Sequence, residues 1–362
     1  MSPISLASGY GNFFTPEVVL ARVQQQLRHS PFPFAPIEGL LELRTALAAR
    51  YHAQQAPTVT ADTIVVTPGA KAALFALLST VLRPGDEVLL PTPTWFGFAE
   101  LVTRAGGTVR ELPLQAADNY VLSPNALRAA ITPRTRLLLF TNPNNPTGRI
   151  YSRTEIAALL AETQQHPQLL VLADEIYDGI RFGPEPVPTL LSFPDPHGQH
   201  VVVNGYSKSL ALIGWNIGYL VAPPDVARAC TAHQFATGGA VAALSQYAAL
   251  AATEATTDIT AGLCQQLLPN RHYLLDFLAT LPSSLPHPLA GTYYAFPDLR
   301  PFLDPSLPAP QASTALVARL REAGVEVVDG TSCGAPGFAR ISFAVPTPDL
   351  EEAVRRLRQV LH

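Results

Sequence analysis

From residue 60 to about 222, short apolar runs alternate with segments whose apolar positions recur every three or four residues. The runs Ile64–Thr67, Glu87–Pro91, Thr108–Leu112, Arg136–Thr141, Leu169–Asp174, His200–Asn204 and Gly218–Ala222 have the length and aliphatic content of strands. Helical periodicity marks Ala70–Leu82, Trp95–Arg104, Arg153–Gln164 and Val226–Phe235. Alternation of this kind predicts an α/β fold with a mainly parallel sheet flanked by helices. Ligands of such open sheets bind in the crevice at the strand C-terminal ends, so residues just after these runs are the ones to inspect.

Outside that region the pattern changes. Two long helices are expected around 240–255 and 258–280. From about 285, short strands, a helix (Ala312–Ala323), strand segments Val325–Val328 and Phe338–Phe343 and a final helix suggest a smaller α+β unit. Residues 1–40 are loop-rich around one helix, Pro16–Arg28, and are expected to pack on that C-terminal unit. The expected division is therefore a large domain over 41–280 and a discontinuous small domain from 1–40 and 281–362.

Hydrophobic residues make up 48% of the 362, which suits a compact globular protein. The net charge of −4 comes with no basic stripe, so nucleic-acid binding is not expected. No apolar stretch reaches membrane-spanning length. The N-terminus lacks the basic start and apolar core of a signal peptide, and the three cysteines, Cys230, Cys264 and Cys333, suggest neither a disulfide framework nor a metal site. A cytoplasmic protein without a membrane partner is the expectation.

One compositional feature bears on chemistry. The chain has two lysines, Lys71 and Lys208, against 22 arginines. A surface Lys becomes Arg at little cost, but a Lys that must form an imine cannot, because guanidinium stays protonated and is a poor nucleophile. Lys208 follows the apolar run Val201-Val-Val in Asn204-Gly-Tyr-Ser-Lys-Ser-Leu. Lys71 closes Thr67-Pro-Gly-Ala-Lys71, where a strand gives way to a helix. Free N–H groups at such a start form an anion seat. A cation there is opposed by the macrodipole, which hints at an anionic partner; a solvated Lys is the plainer alternative. Two further segments end strands: Thr141-Asn-Pro-Asn-Asn-Pro-Thr-Gly148, and Ala173-Asp-Glu-Ile-Tyr177, whose carboxylate can be solvated or can hold a cation.

The order Gly-Ala-Lys, Asn-Pro-x-Asn-Pro-Thr-Gly, Asp-Glu-x-Tyr, Ser-Lys and a late Arg340-Ile-Ser, with 29 residues from Asn145 to Asp174 and 34 more to Lys208, resembles the class I/II aminotransferases. These are pyridoxal-phosphate enzymes of the fold-type-I, aspartate-aminotransferase-like architecture. The resemblance implies that Lys208 forms a Schiff base with pyridoxal 5'-phosphate and shuttles the Cα proton. It implies that Asp174 pairs with the ring nitrogen, that Tyr177 and Asn145 bond the phenolic oxygen, and that Trp95 stacks on the ring. Gly69, Ala70, Lys71 and Ser207 fall at cofactor positions. Arg340 and Asn145 fall at the substrate carboxylate, and Gly9 at the substrate loop. The family's partners are amino-acid and 2-oxo-acid substrates and a second subunit, giving a homodimer.

The departures cluster in the phosphate cup. Asn216, in Gly214-Trp-Asn-Ile-Gly218, stands where the family has an Arg eight residues after the catalytic Lys. Gly205 stands at a hydroxyl position, and Phe34 at that of a partner-subunit Tyr. Lys71 or another Arg is then expected to balance the phosphate, or the cofactor is held mainly by its ring. Transamination between an L-amino acid and a 2-oxo acid is the leading expectation. A lyase or racemase outcome from the same Cα chemistry is the second, and a catalytically impaired binding protein the third. The proline-punctuated arm Pro31-Phe-Pro-Phe-Ala-Pro36 is a candidate intersubunit contact or a local cover.

Overall fold

The computed structural model describes residues 2–28, 32, 34–282 and 288–361; Pro31 and Pro33 of the N-terminal arm lie outside them. The chain opens with strand β1 (Ile4–Ser5) and helices α1 (Glu17–Leu27) and α2 (Leu41–Ala53). Strands and helices then alternate: β2 (Ile64–Thr67), α3 (Ala70–Val81), β3 (Glu87–Thr92), α4 (Gly97–Arg104), β4 (Thr108–Pro113), α5 (Pro124–Ala130), β5 (Thr135–Thr141), α6 (Arg153–Thr163), β6 (Leu170–Asp174), β7 (His200–Gly205) and β8 (Gly218–Val221). Helices α7 (Pro224–Thr237), α8 (Ala243–Glu254) and α9 (Thr256–Leu278) follow. The last part holds β9 (Tyr294–Ala295), α10 (Ala309–Glu322), β10 (Val325–Glu326), β11 (Val328–Asp329), β12 (Ala339–Ser342) and α11 (Thr347–Leu361).

The seven central strands form one sheet in the order β2-β8-β7-β6-β5-β3-β4. It is the α/β class expected, mainly parallel, with β8 antiparallel to both β2 and β7. Successive side chains of a strand face opposite layers, and the core divides accordingly. Leu137 and Leu139 of β5 pack with Val88, Val201 and Leu77 on one face. Leu138 and Phe140 pack with Val171, Val202 and Leu159 on the other. Each such buried aliphatic side chain contributes about 1.5–3 kcal/mol relative to exposure. β4 forms one edge of the sheet and stays largely exposed, whereas β2 at the other edge is buried.

Two helices escaped the periodicity. In α2 the buried face includes Arg44, which donates to the carbonyls of Gly39 (3.1 Å) and Ala61 (2.7 Å). Nearby Arg50 is paired with Asp178 at 2.5 Å. Charged groups buried by specific partners interrupt the apolar stripe by which such a helix is recognised. Helix α5 has seven residues, too few to show a period, although Ser123 caps it and Pro124 sits at its first position. By contrast, α6 opens with a reciprocal Ser152/Glu155 capping box.

The chain ends meet. β1 pairs in parallel with β10, Ile4 opposite Val325, while β9, β12 and β11 make a small antiparallel sheet. Helix α1 of the same segment lies chiefly against α8. This arrangement carries Gly9 and Arg340 to the C-terminal edge of the large sheet.

Candidate active site

The C-terminal ends of β2, β5, β6 and β7 face a single cavity of about 500 Å³. Gly9, Gly69, Ala70, Lys71, Trp95, Asn145, Asp174, Tyr177, Ser207, Lys208 and Arg340 all line it. Sequence separations of up to 331 residues collapse here because parallel strands present their ends side by side. Asn216 lines the cavity as well, Gly205 is buried behind it, and Phe34 is 90% exposed elsewhere.

Lys208 Nζ donates to the Gly9 carbonyl at 2.6 Å and lies 4.1 Å from the Tyr10 ring centroid. Burial lowers its pKa to about 8; Arg340 and Lys71 push the same way by repulsion, and Asp174 opposes them. Asp174 is displaced in the other direction. Burial raises its carboxyl to about 7, against a hydrogen bond from Ile176 N (3.2 Å) and the attraction of Lys208. A buried acid so displaced is suited to a cationic partner.

At the other side, Arg340 Nη1 donates to Asn145 Oδ1 (3.1 Å) and Nη2 to the Ala7 carbonyl (2.8 Å), leaving Nε buried without a partner. The Arg340 guanidinium lies 4.3 Å from the Tyr294 ring centroid. Tyr294 Oη is 2.7 Å from Tyr177 Oη. Thr141 Oγ1, at the end of β5, is buried and unpartnered too.

The start of α3 closes the cavity. Gly69, with φ +88°, precedes the helix, and the Ala70 and Lys71 N–H groups lie in the first turn, where no intrahelical carbonyl reaches them. A side chain on Gly218 would put its Cβ 2.5 Å from Ala70 N, so only glycine lets β8 approach this turn. Asn216, at φ +49°, places Oδ1 2.9 Å from where a Gly69 Cβ would stand. Lys71 Nζ lies 5.4 Å from the Trp95 ring centroid, on the same side of the cavity.

Tyr294, Tyr10 and Thr141 also line the cavity. Tyr10 had a weak signal as an aromatic in the N-terminal loop. Tyr294 had none, because its partners are distant in the chain.

A half-buried lysine with a lowered pKa, a buried acid with a raised one and a half-satisfied guanidinium at the strand ends of an α/β sheet suit an enzyme that condenses an amine with a carbonyl and grips a carboxylate. The comparisons give the family. The model for "Aminotransferase class I and II" matches residues 2–357, and the chain belongs to that family. It is 33% identical to the aspartate/prephenate aminotransferase of Thermus thermophilus, over 99% of this chain and 91% of the relative. It is 32% identical to an aspartate aminotransferase of Streptomyces avermitilis, over 99% and 89%. A solved double mutant of the Thermus thermophilus aspartate aminotransferase superposes with a TM-score of 0.91 at 32% identity, covering 99% of this chain and 92% of that one. The Rhizobium meliloti aspartate aminotransferase gives 0.92 at 28%, covering 99% and 91%. The protein is a pyridoxal-phosphate-dependent aminotransferase of fold type I.

The residues present fit that cofactor. The unpartnered Thr141 Oγ1 and Arg340 Nε point to groups that a ligand completes. The free N–H groups of α3 suit a phosphate, and Asp174 suits a protonated ring nitrogen. Among the described residues, no helix is long and apolar enough to cross a membrane.

Proposed function

We propose that Lys208 is the residue that carries the cofactor and moves the substrate proton, and that aspartate is the amino donor to be tried first. The observation that carries this reading is the position of Lys208: half-buried in the cavity that Asp174 and Arg340 also line, bonded to the Gly9 carbonyl, with a pKa lowered to about 8. The names of the relatives support aspartate. They also favour transamination over elimination or racemisation.

When bound, pyridoxal phosphate supplies an aldehyde that condenses with amines and a ring that accepts the electron pair released at Cα. Lys208 Nζ, neutral in part at neutral pH, takes the Cα proton and would deliver it to the cofactor's C4′ carbon, across the nitrogen and two bonds from Cα. Asp174 holds the proton of the ring nitrogen by ion pairing. Arg340 and Asn145 bind the substrate α-carboxylate, and the Gly9 loop, which already touches Lys208, covers the site and excludes water. Trp95 offers a flat face to the ring. Tyr177 donates to the phenolic oxygen. Ser207, Gly69 and the N–H groups of Ala70 and Lys71 hold the phosphate, with the Lys71 ammonium as its counter-charge; Lys208 and Arg340, the other cations lining the cavity, are engaged elsewhere.

The protein is also proposed to act in the cytoplasm as a homodimer. Phe14 and Phe34, 89% and 90% exposed, support an apolar contact formed by the N-terminal region.

The test is a donor panel with added cofactor. Aspartate alone should convert the bound chromophore, and a 2-oxo acid should restore it with one equivalent of new amino acid. Ammonia release without any acceptor would instead indicate a lyase.

A further inference from the structure

Three parts of the site meet at Tyr294, a fully buried residue of β9. Its hydroxyl lies 2.7 Å from Tyr177 Oη and donates to the Gly9 carbonyl at 3.1 Å. Its ring backs the Arg340 guanidinium. The Gly9 carbonyl also accepts from Tyr293 Oη (3.0 Å) and Lys208 Nζ (2.6 Å). That is three donors for an oxygen with two lone pairs. One donor can therefore leave without stranding the carbonyl, and Tyr294 has a second acceptor in Tyr177 Oη.

We propose that Tyr294 is a positioning residue that orients the Tyr177 proton toward the cofactor. With Lys208 engaged by the cofactor, Tyr293 holds the Gly9 carbonyl and the Tyr294 hydroxyl donates to Tyr177 Oη. The single Tyr177 proton is then directed to the phenolic oxygen of the ring. A hydroxyl that accepts a hydrogen bond is a better donor in turn. The Tyr294 ring acts separately, by fixing the plane of the guanidinium that meets the substrate carboxylate. Arg340, Lys71 and Asp174 face Lys208, and Tyr10, Tyr177 and Tyr293 surround Tyr294. The inference rests on the roles given above to Lys208 and Tyr177.

The experiment is a pH titration of the absorbance of the cofactor-loaded enzyme, for the natural protein and for Tyr294→Phe, Tyr294→Leu and Tyr177→Phe. That absorbance switches with a proton shared between the Lys208 nitrogen and the phenolic oxygen. A donor on the oxygen competes for its charge, so weakening the donor holds that proton to higher pH. Tyr177→Phe should raise the midpoint, and Tyr294→Phe should raise it by about half a unit to one unit, the effect of one neutral hydrogen bond. Succinate affinity, read from the same chromophore, should stay within about twofold in Tyr294→Phe. It should fall about fivefold or more in Tyr294→Leu, which loses the ring as well. A Tyr294→Phe midpoint equal to or below the natural one, with Tyr177→Phe raised, overturns the inference alone. An unmoved Tyr177→Phe midpoint removes the assignment of Tyr177, and the inference with it.

Discussion

Lys208 and Asp174 carry opposite displacements from one cause, burial in the same cavity. The consequence for the cofactor-free protein has a definite sign. Asp174 binds its proton more tightly folded than unfolded, so its contribution to stability is full below pH 3.8 and is lost as pH rises through about 7. Lys208 binds its proton less tightly folded, so its contribution is full above pH 10.5 and is lost as pH falls through about 8. Denaturant melts of the cofactor-free protein should show the decline between pH 4 and 7 reduced in Asp174→Asn; an unaltered profile contradicts the assignment. Lys71 makes a second prediction at this scale. Lys71→Ala should weaken pyridoxal phosphate by about tenfold or more, the size of a charge-assisted hydrogen bond, while leaving pyridoxal within about twofold. Equal affinity for the phosphate in both proteins, with a raised KM for aspartate only, would place Lys71 at the substrate instead. The legible residues were those whose chemistry admits few substitutes. Lys208 stood out by scarcity, and Asp174, Asn145 and Arg340 by order and spacing. Tyr294 was not legible, because its partner Tyr177 lies 117 residues away and a tyrosine pair in an apolar segment reads as core.

Among elements, the apolar runs located the seven large-sheet strands closely, and the edge position of β4 shows only in its exposure. Strand direction was not legible. Four apolar residues at Gly218–Val221 carry no sign of their antiparallel pairing with β2 and β7. The consequence of that reversal is local to the cavity, since β8 starts, rather than ends, beside the first turn of α3 and brings Gly218 onto Ala70 N. Gly218→Ala should force the α3 turn away and lower cofactor affinity well before it lowers the melting temperature of the cofactor-free protein. A normal cofactor titration in that variant would show the close approach to be dispensable. Helix α6 offers a stability check remote from the site: Ser152→Ala, which removes the hydroxyl that accepts from Glu155 N but keeps the backbone N–H that donates to the Glu155 carboxylate, should cost about 1 kcal/mol in urea unfolding. The helix missed at Leu41–Ala53 shows the limit of periodicity, because buried Arg44 and partly buried Arg50 bond to carbonyls and a carboxylate that only the folded chain supplies.

For the whole molecule, the proposed division into 41–280 and the paired ends 1–40 and 281–362 is supported by β1 joining β10, whereas the contact of α1 with α8 ties the first segment to the large unit as well. Oligomeric state belongs to this scale. Light scattering should give twice the chain mass of 38.8 kDa, and Phe34→Asp should shift the population toward 38.8 kDa; a monomer at all concentrations contradicts the dimer. The composition of the chain also makes its chemistry unusually simple to map. With two lysines in 362 residues, a covalently attached cofactor has two side-chain addresses. Borohydride reduction of the cofactor-loaded enzyme, followed by peptide mass mapping, should find the pyridoxyl adduct on the peptide containing Lys208. An adduct on Lys71, or an unmodified Lys208 peptide from fully loaded protein, would contradict the account.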